Sequence, residues 1–150
     1  MKKKTDIEQS PALEFFMPEK GKKLKLDLYS STISAGFPSP AEDYLDKKLD
    51  LNEYLIRNPS ATFLVKVNGN SMINAGINNG DILIVDRSLE PADGKVVIGV
   101  INGEFTVKRI RKSGKKLFLE PENDLFKSIE ITEDTDFKTW GVVVYAIHKL

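Results

Sequence analysis

The sequence predicts a mostly β protein: a compact, twisted antiparallel β domain with a mobile N-terminal arm and one or two short helices. Three observations predict it. From Thr62 onward, seven β-rich runs follow one another with no helical period between them: TFLVKVN, DILIVD, KVVIGVI, EFTVKRIR, KLFLEP, SIEI and TWGVVVYAIH. Turn dipeptides punctuate these runs, among them Asn68-Gly69, Asn79-Gly80, Asp93-Gly94, Asn102-Gly103 and Ser113-Gly114. Residues 1–38 carry lysine clusters and a Ser/Thr stretch without any sustained period. That contrast divides the chain into an arm, 1–38, and a domain, 39–150.

Within the arm, LKLDLYS alternates, so that Leu24, Leu26 and Leu28 share one face. Two readings are open: a strand laid on the body of the protein, or a solvated tail. Order is expected from SPAEDYLDKKLDLNEYLIRNP. Ser39, Pro40 and Glu42 read as the cap, first position and capping-box acid of one short helix. Asp50 with Glu53 starts a second, which Pro59 ends. The hairpin VVIGVINGEFTVKRI turns at Asn102-Gly103. Gly69 and Asn70 lead into SMINAG, which reads as one helical turn beginning at Ser71.

Composition removes several function classes. At 150 residues the chain has room for one cored domain. Its 22 basic and 22 acidic side chains cancel, so no overall basic field speaks for nucleic-acid binding. Zero cysteines exclude thiol nucleophiles and disulfides, and with a single histidine they leave no basis for a zinc site; no metal or cofactor is expected. The basic start MKKKTDIEQS is not followed by an apolar run, and no stretch approaches the ~20 apolar residues of a membrane helix, so a cytoplasmic location is expected.

Three places carry candidate chemistry. Ser71 sits on a small-residue junction between two strands. It reads either as a turn serine or as a nucleophile beside free backbone N–H groups that suit an oxyanion. A nucleophilic hydroxyl needs a base. His148, the single histidine, ends an alternating strand and reads as a surface residue. Lys108 lies mid-strand in EFTVKRIR, with Thr106 and Ile110 on its face and Phe105 and Val107 on the other. It is either a snorkelling lysine or a desolvated amine. Bringing its pKa from ~10.4 to about 7–8 takes ~3–5 kcal/mol of differential destabilisation of the cation. The third place is Ala35-Gly36 in TISAGFPSP: a hinge before the first helix, or a scissile bond whose small side chains fit a narrow cleft.

Together, Ser71 in GNSM, Lys108 in GEFTVKRI and Ala35-Gly36 in AGFPSP resemble the LexA/UmuD family of self-cleaving serine peptidases. The likeness is closest to the UmuD branch and runs from about Gly36 to the end of the chain. It implies a Ser-Lys dyad in which Lys108 activates Ser71 against the Ala35 carbonyl, with the backbone N–H groups of Asn70 and Ser71 binding the oxyanion. It implies the LexA/UmuD-type peptidase fold, a homodimer, and activation by the RecA–single-stranded-DNA filament. The trimmed form would join a UmuC-type error-prone polymerase as an accessory subunit in the SOS response. Asn70 departs from the acidic residue frequent before the serine in UmuD-like proteins. Ala35 is the LexA choice at the bond. A LexA-like repressor would need a helix-turn-helix upstream, and the first 35 residues show no credible helix pair, so direct sequence-specific DNA binding is not expected. The rival of a different class is a non-catalytic β scaffold that recruits DNA-repair partners.

Overall fold

The computed structural model describes residues 13–16, 21–29 and 45–150. In chain order these form β1 (Leu13–Phe16), β2 (Lys25–Tyr29), β3 (Leu45–Asp50), the helix α1 (Leu51–Leu55), β4 (Thr62–Val67), β5 (Ile82–Asp86), β6 (Val96–Ile101), β7 (Glu104–Ser113), β8 (Lys116–Glu120), β9 (Ile129–Ile131) and β10 (Phe137–Ile147). Two compact units result. One holds β1 and residues 58–150; the other lies within residues 19–57. The candidate bond Ala35-Gly36 and the 38/39 boundary lie outside the described residues.

The larger unit is a single antiparallel sheet in the order β1-β4-β5-β10-β6-β7-β8-β9. All seven runs read from the sequence after Thr62 are strands of it. The Asn102-Gly103 hairpin forms as its composition demands, both residues taking positive φ, 49° and 85°. Alternation buries both faces. Val107, Ile98 and Val85 join Phe63, Val65 and Leu83 in one cluster, while Ile110, Val97 and Val142 join Leu119 in a second. The long β10 passes between the two halves, pairing with β6 through its first part and with β5 through its second. Irregularities at Thr139/Gly141 and Val143/Tyr145 bend it on the way. Gly141 serves that close passage: a Cβ there would lie 2.7 Å from Val85 Cγ1 and 3.2 Å from the Asp86 carbonyl oxygen.

The smaller unit corrects one expectation. Ser39, Pro40 and Glu42, the start of the first expected helix, lie outside the described residues, but LDKKLD beyond them is not helical: it is β3, paired antiparallel to β2 from Lys25↔Asp50 to Tyr29↔Leu45. A weak apolar stripe gave the expected helix little to bury, whereas KLDLY offers a ready ladder partner. KLDLY within that alternation is therefore a strand, but its partner is β3, and Leu24, Leu26 and Leu28 remain exposed. The second helix forms as expected: the Asp50 carboxylate accepts hydrogen bonds from the Glu53 and Leu24 N–H groups at 3.1 and 2.8 Å. Those two bonds hold the Asp50 carboxyl below its ordinary pKa. The strand LEFF, β1, carried no sequence signal strong enough to single it out; four residues are too few for a period.

Candidate active site

The site is built where the chain leaves β4. Gly69 takes φ +119°, a conformation open to glycine, and its N–H donates to Asn79 Oδ1 at 2.8 Å. Gly80 and Asp81 close the same corner: the Gly80 N–H donates to the Val67 carbonyl at 2.8 Å, and the Val67 N–H donates to the Asp81 carbonyl at 2.9 Å. The helical turn beyond is a 3₁₀ turn, Ile73–Ala75, with Met72 at its cap position. It begins two residues later than the sequence suggested, so Ser71 is not a capping serine. Met72, 2% exposed, pins the turn into the core. The Ser71 hydroxyl is left to face the neighbouring strand.

That strand is β7. Lys108 pairs across the ladder with Val97, which is fully buried, and is itself half-buried. Its Nζ lies 2.7 Å from Thr106 Oγ1, 3.0 Å from the Val107 carbonyl oxygen and 3.3 Å from Ser71 Oγ. Burial pushes the Lys108 pKa below lysine's ordinary value. As an ammonium it donates to all three oxygens. As a neutral amine it has two N–H donors, enough for Thr106 and Val107, and one lone pair left for the Ser71 proton.

One supporting residue escaped the sequence reading. Asn123 Nδ2 donates to the Asn70 carbonyl at 2.7 Å, and the Ile73 N–H reaches the same oxygen at 3.3 Å. Because the 70–71 peptide is trans, fixing that carbonyl aims the Ser71 N–H the opposite way. The N–H groups of Asn70 and Ser71 take no hydrogen-bond partner among the described residues. The loop carrying Asn123 is itself docked: the Asn74 N–H donates to the Glu122 carbonyl at 2.7 Å, and Arg109, next to Lys108, pairs with the Glu122 carboxylate. Nothing in the sequence marks Asn123, since its partner lies 53 positions away.

Ser71 and Lys108 line one pocket of about 230 Å³, with Val67, Met72, Phe105 and Phe126 among its apolar walls. His148 is not part of it. Its Nδ1 lies 2.8 Å from Oδ1 of Asp81, a carboxylate that is 2% exposed. Among the described residues no cluster of three or more His, Cys, Asp or Glu is disposed to hold a metal ion, and no helix is long and apolar enough to cross a membrane.

Residues 27–144 match the family model described as Peptidase S24-like. The chain belongs to the S24 peptidase family. It is similar to Protein ImpA of Escherichia coli, 42% identical over 130 residues, covering 81% of this chain and 83% of that protein. Protein MucA of Salmonella typhimurium is 42% identical over 123 residues, with 81% and 84% covered. The LexA repressor of Acidithiobacillus ferrooxidans is 43% identical over 115 residues, with 75% of this chain but 56% of the repressor covered. ImpA and MucA are UmuD-family proteins, which agrees with the resemblance read from GNSM and GEFTVKRI. The S24 peptidases include self-cleaving serine peptidases, and their UmuD-like members are SOS mutagenesis proteins. The mostly β, antiparallel architecture is that of the family.

Proposed function

We propose that this S24 peptidase cuts its own chain between Ala35 and Gly36, using Ser71 as nucleophile and Lys108 as general base. The observation that carries the reading is the 3.3 Å approach of a desolvated lysine nitrogen to the serine hydroxyl inside one pocket. Neutral Lys108 takes the Ser71 proton as Oγ attacks the Ala35 carbonyl carbon. The oxyanion is received by the N–H groups of Asn70 and Ser71, the latter oriented through Asn123. The Ala35–Gly36 C–N bond then breaks, and Lys108 returns its proton to the Gly36 amine. Water, deprotonated by Lys108, hydrolyses the Ser71 ester and restores the dyad.

The arm, 1–38, presents the bond to the domain, 39–150. The trimmed product works in the cytoplasm as a homodimer that joins an error-prone translesion polymerase of the UmuC type. The RecA–single-stranded-DNA filament stimulates the cut. The UmuD-family relatives support this assignment of partners.

The deciding experiment incubates purified protein at about pH 9–10, where a growing fraction of lysine is neutral. Mass spectrometry is expected to find a slow, single cut between Ala35 and Gly36, absent from Ser71→Ala and Lys108→Ala. Wild-type protein that stays whole under these conditions, and stays whole with activated RecA filament, would leave the scaffold reading in possession.

A further inference from the structure

Among the described residues the sheet's outermost strand on one side is β1, which precedes the proposed cleavage bond in the chain. It lies antiparallel on β4 with the register Leu13↔Val67, Glu14↔Lys66, Phe15↔Val65 and Phe16↔Leu64. Alternation points Leu13 and Phe15 to the side of Val65 and Val67. Leu13 is 6% exposed and lines the pocket that holds Ser71 and Lys108. Phe15 rests on a prepared aromatic seat: ring centroids lie 4.8 Å away at Phe105 and 5.8 Å away at both Phe63 and Trp140. The seat is braced without it. Phe105 and Trp140 meet edge-on at 4.9 Å, and the Arg87 guanidinium covers the Phe63 and Trp140 rings at 4.7 and 5.0 Å. Trp140 reaches this place because it lies at the β10 irregularity, between Thr139 and Gly141.

We propose that the β4 edge and its Phe63–Phe105–Trp140 seat form a strand-binding site, and that Leu13–Phe16 is its resident, separable ligand. Backbone pairing supplies affinity along the edge, and the aliphatic and aromatic side chains two positions apart supply selection. Resting on the proposed cut at Ala35–Gly36, this has a consequence. Both ladders made by the N-terminal fragment, β1 on β4 and β2 on β3, cross the broken bond. Cleavage therefore yields a nicked complex, and the edge clears only when the strand departs. A cleared edge presents unpaired N–H and C=O groups beside an aromatic seat, ready for an extended partner segment of the same chemistry.

The test makes the nick artificially. A site-specific protease sequence is inserted beside Gly21, an exposed position, in the full chain carrying Ser71→Ala. After cutting, native mass spectrometry is expected to find the fragment bearing β1 still bound. A labelled synthetic peptide of residues 10–18 should exchange into the complex, and its Phe15→Ala version should bind about tenfold or more weakly. Trp140, the chain's single tryptophan, should shift its emission to the red as the strand leaves. Immediate loss of the fragment with unchanged emission would overturn the proposal, as would equal entry of the Phe15→Ala peptide. The cut owes nothing to Ser71, so a negative result removes the strand site and leaves the dyad standing. Absent self-cleavage, conversely, leaves the strand site untouched.

Discussion

Ser71 Oγ and Lys108 Nζ, 37 positions apart in the chain, lie 3.3 Å from each other. The hydroxyl hangs from a glycine-bearing corner held by backbone hydrogen bonds and by the Asn79 and Asn123 side chains, and the amine comes from the middle of a strand whose opposite number, Val97, is fully buried. The pH dependence of cleavage follows. Burial lowers the Lys108 pKa, so the neutral amine becomes populated below the pH at which a free lysine would titrate. The single-turnover rate is expected to rise with pH and level off below ~10.4, the unperturbed lysine value. Lys108→Arg, charged throughout that range, should show no rise.

The same lowered pKa has a signature in stability. Between the folded and unfolded pKa values the unfolded chain binds the extra proton, so stability increases with pH across that window and falls toward neutrality. Lys108→Met keeps the stem and removes the desolvated cation. It should raise the urea midpoint at pH 7, and the gain should shrink as pH climbs toward ~10.4. A gain independent of pH would show that packing, not charge, is responsible.

Asn123→Ala should slow cleavage by about tenfold to a hundredfold, less than outright removal of an oxyanion donor, which costs roughly a hundred- to a thousandfold. The loss belongs in the rate of the cut itself, because Asn123 acts through the Asn70 carbonyl 2.7 Å away. Unchanged thermal unfolding in the same variant separates this positioning role from a structural one.

His148→Ala should process at the wild-type rate, since His148 sits on Asp81 and not in the pocket. Its effect appears in unfolding, where a buried carboxylate loses one partner while keeping the Asn78 N–H at 2.8 Å. A cost of about 1 kcal/mol is expected. A cleavage defect with intact folding would reopen the identity of the base.

Gly141→Ala should destabilise the sheet by about 1–3 kcal/mol, because the new Cβ meets Val85 and the backbone of Asp86 where β10 crosses β5. Gly21→Ala, with open space around it, is the neutral control. Chemical denaturation of both variants checks the contrast.

The strands from Thr62 onward were legible in the sequence because each is a run of β-branched and aromatic residues closed by a turn dipeptide, information carried within ten residues. The Asn102-Gly103 hairpin and the Asp50–Glu53 cap are of the same local kind. The candidate serine and lysine were legible through their motifs, and the structure brings them together; the proposed bond at Ala35-Gly36 lies outside the described residues. LDKKLD shows where local reading stops: the sequence carried the expected helix through it, yet a partner strand some twenty residues upstream draws it into β3. LEFF and Asn123 illustrate the same limit, since neither means anything without the distant surface it meets, the aromatic seat for one and the Asn70 carbonyl for the other. Periodicity and turn chemistry are properties of neighbouring residues and survive in a linear string. Pairing across the sheet, the water-poor surroundings of Lys108 and the aim of the Ser71 N–H arise from contacts between remote segments, and they come into being when the chain closes on itself.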